Sequence, residues 1–218
     1  MIPVAVFVKT PGLSEVKTRL AQTVGKEKAV SVYRLCCRWT QELLEQARTH
    51  SKLLPIWAVA EEEGMGHPLW SQWDRVCQSG STLGERLHSV YEPLQKKYGA
   101  AMVLGADSPE LVPELLGEAV KILSSGSEVK MVLGKTPDGG FYLFGGNCAI
   151  SKKVWTSIPY SESSTAKALE AQLESLGKIE PLPLCADIDY FEDLISVMTR
   201  LKTSSPGKYS SLLALELI

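Results

Sequence analysis

Short apolar runs alternate with longer amphipathic stretches along most of this chain, and that alternation constrains the fold more than any other feature. Residues 4–8 (Val4 to Val8) are continuously apolar, bounded by Pro3 and Lys9, as a strand buried on both faces requires. Similar runs at 53–60, 100–106, 129–134, 141–145 and 179–184 read as further strands, with a short one at 75–78. Between them lie helical patterns. In 26–49, Val30, Tyr33, Leu35, Trp39, Leu43, Leu44 and Ala47 recur at helical spacing. Segments 82–98, 113–124, 165–176 and 191–202 also read as helices. Ser81 or Thr82 can cap the first, Pro113 lies in the first turn of the second, and Gly177 ends the third. Residues 61–73 hold Gly64, Gly66 and Pro68 and read as irregular. Leu212 to Ile218 is apolar and is expected to pack on the body or on a second copy as a homodimer contact.

Strands that alternate with helices build a mostly parallel sheet covered on both faces, an α/β architecture. The 218 residues fit one domain over 1–218, since no repeat or composition shift marks a boundary. In such sheets ligands sit beyond the carboxyl ends of the strands. The loops after the apolar runs are therefore where chemistry is expected.

Charge narrows the partners. With 23 basic and 25 acidic side chains and a net charge of −2, the chain lacks the basic excess of a nucleic-acid binder. The five cysteines are scattered without a CxxC pair, which suits reduced thiols in a cytoplasmic protein. The apolar start is too short to span a membrane and lacks the features of a secretion signal.

Five segments could carry chemistry. Lys9-Thr10-Pro11-Gly12-Leu13-Ser14-Glu15-Val16-Lys17-Thr18-Arg19 follows the first strand and brings three cations, hydroxyls and a glycine. Such a loop can bind a polyphosphate or be a solvated basic turn; it matches neither a Walker loop nor GxGxxG. Gly105-Ala106-Asp107-Ser108-Pro109 puts a carboxylate at a strand's end, where it can hold Mg²⁺ or Mn²⁺ or form a turn. In Asp187-Ile188-Asp189, two acids at i and i+2 can face one way and complete a metal site, or Asp189 can cap the last helix. Asp138-Gly139-Gly140 allows close backbone approach to a ligand and is equally a hairpin signal. In Leu83-Gly84-Glu85-Arg86, Arg86 can reach a base or phosphate, or the segment is a salt-bridged helix start. The histidines fall in no ligand spacing, and the five tryptophans read as packing rather than a base-stacking platform.

In this order, the segments resemble a known family. Phe7-Val8-Lys9-x-Pro11-Gly12 with Val16-Lys17-Thr18-Arg19-Leu20, then Leu83-Gly84-Glu85-Arg86, Gly105-Ala106-Asp107-Ser108-Pro109, Asp138-Gly139-Gly140-Phe141-Tyr142-Leu143 and Asp187-Ile188-Asp189 with Glu192-Asp193-Leu194, are similar to the DUF2064 family. Those proteins are grouped with GT-A-like glycosyltransferases, some linked to arsenosugar biosynthesis, and are related to molybdenum-cofactor and phospholactate guanylyltransferases. The resemblance spans about residues 3–201. It implies a three-layer α/β/α, Rossmann-like nucleotide-diphospho-sugar transferase (GT-A) fold with a mostly parallel, mixed sheet.

It also implies roles. Asp107 and Asp189, or Asp187 in its place, would hold Mg²⁺ or Mn²⁺. Lys9, Pro11, Gly12, Lys17, Thr18, Arg19, Gly84 and Arg86 would bind nucleotide and phosphate. Asp138, Gly139 and Gly140 would meet the sugar or acceptor, with Asp107, Lys17 and Asp138 as the catalytic set. Departures from the family pattern fall at Glu15, Pro137 and Tyr190-Phe191. The expected activity is metal-dependent glycosyl transfer from a nucleotide-diphospho-sugar to a small-molecule acceptor. The alternatives are nucleotidyl transfer from an NTP to a phosphorylated acceptor and a non-catalytic nucleotide-binding protein.

Overall fold

The computed structural model describes residues 1–217; Ile218, part of the expected C-terminal contact, lies outside the described residues. Seven strands make one sheet: β1 (Ile2–Val8), β2 (Leu53–Val59), β3 (Asp74–Cys77), β4 (Ala101–Gly105), β5 (Lys130–Lys135), β6 (Phe141–Gly146) and β7 (Lys178–Leu182). Their order is β3-β2-β1-β4-β6-β5-β7. β6 runs antiparallel to β4 and β5, and the other pairs are parallel. The sheet is thus mostly parallel, as the alternation of strands and helices implies, and mixed, as the family resemblance implies.

Strand prolines obey the ladder. Pro55 lies in β2 ahead of the point, Ile56, where β3 begins to pair, and Pro3 lies ahead of Val4, where β4 begins. Pro181 sits on edge strand β7. A residue without an N–H is tolerated where one side of its strand is open.

The helices are α1 (Thr18–Val24), α2 (Lys26–His50), α3 (Leu83–Tyr98), α4 (Pro113–Ser124), α5 (Lys152–Ser157), α6 (Thr165–Leu173), α7 (Phe191–Ser204) and α8 (Pro206–Leu213). Alternation along β1 decides the layers. Val4, Val6 and Val8 face α2 and α4, packing with Leu44 and Leu116, while Ala5 faces α3, α5 and α6 with Leu87, Trp155 and Leu169. A third cluster joins Leu20 of α1 and Val32 of α2 to Leu194 of α7, Leu212 of α8 and Leu217. The C-terminal segment is therefore taken up by its own body, as one of the two expected uses foresaw.

Three helices depart from the sequence reading. α1, α5 and most of α8 fall in stretches where the sequence pattern predicts no element. All five tryptophans are buried, and Trp57 stacks on Trp73 with ring centroids 4.4 Å apart. They are core, not a base platform. No helix among the described residues is long and apolar enough to cross a membrane.

Candidate active site

The sheet reverses its winding between β1 and β4, and the loops leaving those two strands frame the site. Beyond β1 the chain runs through a tight turn, in which the Leu13 and Ser14 N–H groups both donate to the Thr10 carbonyl. It then reaches Lys17, whose backbone is left-handed (φ 49°) just before α1. A non-glycine residue held there implies that its surroundings fix it, a pattern concentrated at functional sites. Beyond β4 comes Asp107. A Cβ at Gly105 would lie 3.0 Å from Asp107 Oδ1, so a glycine lets this carboxylate fold back toward the strand.

The late acidic segment joins them through the backbone. Ile188 N–H donates to the Asp107 carbonyl (3.2 Å), and Cys185 N–H donates to Lys135 (3.2 Å). Ile188 is fully buried. Its extended neighbours Asp187 and Asp189 share the opposite face, as i and i+2 residues do. Carboxylate oxygens of Asp107, Asp187 and Asp189 all lie within 4.8 Å of one another.

Two cations answer this charge. Lys17 Nζ donates to Asp107 Oδ2 (2.7 Å) and Asp189 Oδ1 (3.0 Å), and Arg19 donates to Asp189 Oδ2 (3.1 Å) while lying over the Tyr190 ring. The Lys17 side chain is only 4% exposed. Burial would lower its pKa, but Asp107 and Asp189 outweigh burial and hold the ammonium above the ordinary lysine range. Burial likewise pushes Asp189 up, and Lys17 and Arg19 outweigh it and bring the carboxyl below the usual range. Asp187 has no ion-pair partner among the described residues. Burial, reinforced by Asp107, Asp189 and Asp138, pushes it up to about 7.

A cluster with this excess of negative charge fits a divalent cation. Its three donors are hard carboxylate oxygens, the ligand type that suits Mg²⁺ and Mn²⁺.

Above the acids opens a cleft of about 730 Å³ lined by Lys9, Lys17, Thr18, Arg19 and Arg86 among others. That volume lies within the range of small-molecule sites, about 300–1,000 Å³. Gln78, which no sequence pattern singles out, also lines it, and its amide donates to the Ala58 carbonyl (2.8 Å) beside the end of β1.

Other expected residues lie elsewhere. Pro11 and Gly12 form the turn, Pro11 buried and bridging to Ser14 and Gly12 exposed at φ 99°. Gly84 lies in the first turn of α3, where a Cβ would meet the Trp155 carbonyl oxygen at 2.3 Å, so it sets the α3–α5 approach. Asp138-Gly139-Gly140 is the β5–β6 hairpin turn. The Asp138 carboxylate accepts from the Thr136 hydroxyl and from Gly140 N–H (3.1 Å). Gly139 docks the start of α6, accepting from Ala166 N–H (2.9 Å), while Gly140 and Asp138 line a second chamber.

The alternative helix-cap role passes from Asp189 to Asp193. The Asp193 carboxylate accepts from the Asp189 and Tyr190 N–H groups, which leaves the Asp189 side chain to Lys17 and Arg19.

The profile of a family described as uncharacterized proteins conserved in bacteria, DUF2064, matches residues 40–162, more than half of the chain. The chain belongs to the DUF2064 family. No protein of curated function matches it. Among solved structures, this DUF2064 chain is similar to a proposed nucleotide-diphospho-sugar transferase from Desulfovibrio desulfuricans G20, with 26% identity, TM-score 0.81, and 98% of this chain and 94% of that one covered. A nucleotidyl transferase from Methanothermobacter thermautotroptrophicus shares the fold at 11% identity and TM-score 0.58, with 94% and 99% covered. A 4-diphosphocytidyl-2C-methyl-D-erythritol synthase from Anaerococcus prevotii DSM 20548 shares it at 12% identity and TM-score 0.54, with 92% and 96% covered. The DUF2064 chain thus has the fold of the nucleotide-diphospho-sugar transferases.

Proposed function

We propose that this protein is a metal-dependent glycosyltransferase that takes a nucleotide-diphospho-sugar as donor and a small hydroxyl-bearing molecule as acceptor. The observation that carries this reading is the meeting of three carboxylates with Lys17 and Arg19 at the mouth of a nucleotide-sized cleft. Asp107 and Asp189, with Asp187 beside them, would hold Mg²⁺ or Mn²⁺. The ion would supply Lewis-acid neutralisation of the diphosphate.

The chain's own side chains do the rest. Lys9, Lys17, Arg19 and Arg86 bind the diphosphate, and Lys17 and Arg19 stabilise the charge that grows on it as it leaves. In the transfer, the bond from the sugar's anomeric carbon to the diphosphate oxygen breaks and the electron pair leaves with the diphosphate. The acceptor oxygen bonds to that carbon and gives its proton to Asp138. The relative from Desulfovibrio desulfuricans supports a sugar-nucleotide donor. The fold neighbour from Methanothermobacter, a nucleotidyl transferase, supports a second reading, nucleotidyl transfer from an NTP with release of pyrophosphate.

Thermal shift against a panel of NTPs, NDPs and NDP-sugars, each with and without Mn²⁺, tests the reading, because a ligand that binds the native state raises the melting temperature by mass action. A metal-dependent rise with an NDP-sugar supports glycosyl transfer. A rise confined to an NTP moves the assignment to nucleotidyl transfer. No rise with any ligand leaves a non-catalytic member of the fold.

A further inference from the structure

We propose that the acceptor carries its hydroxyl on an apolar body and bears no negative charge, and that it seats in a chamber beside the nucleotide cleft. This rests on the transferase reading above and narrows it to one class of acceptor.

The chamber, about 210 Å³, opens between the carboxyl end of β4, the β5–β6 hairpin and the segment ahead of α6. Phe7, Leu83 and Ser161 line both it and the larger cleft, so the two spaces adjoin. Asp187 reaches the chamber from the acidic cluster, so a molecule seated there abuts the carboxylates proposed to hold the ion.

The two spaces differ in chemistry. The cleft is lined by four cations, Lys9, Lys17, Arg19 and Arg86, beside three acids, Glu15, Asp107 and Asp189. The chamber is lined by no lysine or arginine among the described residues; its charged side chains are Asp138, Glu162 and Asp187. Much of its remaining wall is apolar or aromatic, with Leu87, Phe141 and Tyr160. A phosphate monoester placed there would face like charge without a compensating cation, an arrangement that selects against such a partner. An ion bound at Asp187 would still leave Asp138 and Glu162. A hydroxyl, in contrast, finds carboxylate acceptors beside an apolar surface for its carbon body.

The wall is built rather than loose. Ser161 holds a left-handed backbone (φ 64°) at the junction of the two spaces. The Tyr160 hydroxyl donates to the Trp155 carbonyl (3.0 Å), and the Thr165 hydroxyl contacts the Pro159 (2.7 Å) and Glu162 (2.8 Å) carbonyls. The chamber's volume is below the range of about 300–1,000 Å³ usual for drug-sized ligands, so the body it takes is small. Nucleotidyl transfer onto a phosphorylated acceptor is disfavoured by the same lining.

Matched probes test this: benzyl alcohol against benzyl phosphate, titrated by saturation-transfer NMR. Each titration is run on the free protein and on the protein with Mg²⁺ and UDP or GDP. The expected result is binding of the alcohol about tenfold or more tighter than the phosphate in both states, with Glu162→Lys narrowing or reversing that preference. Tighter binding of benzyl phosphate by the unaltered protein overturns the inference. So does binding of neither probe up to its solubility, or a preference that Glu162→Lys leaves unchanged. Failure of UDP and GDP to bind would count against the donor site alone, because the free-protein arm reads the chamber independently.

Discussion

Lys17, the left-handed residue ahead of α1, and Asp107, two residues beyond β4, form a 2.7 Å ion pair in which the lysine side chain is almost fully buried and the aspartate is 30% exposed. The same ammonium also reaches Asp189. A buried cation is thereby placed among the acids proposed to hold a metal, and it keeps their charge tolerable when no ion is bound.

Replacing Lys17 by Met leaves the three acids with Arg19 as their remaining close counter-charge. Removing one member of a buried pair costs about 3–5 kcal/mol, less where the partners keep contact with water as these do. A loss of about 2 kcal/mol is expected, or roughly 4–8 °C in Tm for a chain of this size. Mn²⁺ should restore more of the Tm in the variant than it adds to the unaltered protein. A calorimetric scan with and without the ion reads both, and an unchanged Tm with an unchanged ion response would show that the pair does not couple to the site.

Gly139 and Gly126 separate backbone strain from collision. Both are left-handed, at φ 90° and 73°. A Cβ at Gly126 meets nothing within 4 Å, whereas one at Gly139 would lie 1.9 Å from the Ser163 carbonyl oxygen. Gly126→Ala should cost about 1–2 kcal/mol, the ordinary penalty for a left-handed L-residue. Gly139→Ala should cost clearly more, because the start of α6 must shift as well. Urea denaturation of the two variants side by side checks the order.

Thiol chemistry follows burial. Cys77 is exposed on edge strand β3, while Cys36 and Cys37 are buried on α2, Cys36 toward α1 and α7 and Cys37 under the sheet. Burial pushes the Cys36 thiol up to about 12 and holds Cys37 well above the ordinary range too. The thiolate is the reacting form. Titration with an aromatic disulfide reagent at mild alkaline pH should show a fast phase that disappears in Cys77→Ser, with Cys36 and Cys37 reacting only on unfolding. A fast phase that survives in a variant lacking both Cys77 and the half-buried Cys148 would contradict the burial pattern.

Glu85 gives a pH-dependent contribution with a definite sign. Its carboxylate meets Lys152 (2.8 Å), and it accepts from the Ser81 hydroxyl and N–H at the start of α3. Lys152 first, then Ser81, hold it down at about 2 from an ordinary value of 4.5. A depressed folded-state pKa stabilises fully above the unfolded value and ceases to do so as pH falls through the folded one. Glu85→Gln should therefore lower Tm at pH 7 and by progressively less between about pH 4.5 and 2. Equal losses at pH 7 and pH 2 would mean that charge is not the cause.

Much of the site is legible in the sequence because its residues follow local rules. Asp107 stands at the end of an apolar run, where parallel sheets place ligands. Asp187 and Asp189 share a face because Ile188 between them is apolar and buried. The hairpin at Asp138 announces itself by Asp-Gly. α1 is not legible: it has seven residues, one buried side chain and no side-chain cap, so neither periodicity nor a start signal marks it. Nor can a sequence show that Lys17 pairs with acids 90 and 172 positions away instead of pointing freely at a phosphate. The chamber draws Phe7, Leu87, Phe141 and Tyr160 from separate elements, and only the packed fold brings them together.

The most direct measurement is Mn²⁺ binding by electron paramagnetic resonance in the presence of UDP or GDP, comparing the unaltered protein with Asp107→Asn. One tight ion is expected in the unaltered protein, weakened about tenfold or more by the substitution, since even residues one step removed from a metal cost 10–100-fold in affinity. An affinity for Mn²⁺ that is the same in both proteins, with the fold intact by circular dichroism, would contradict the assignment of Asp107 and with it the metal-dependent transferase.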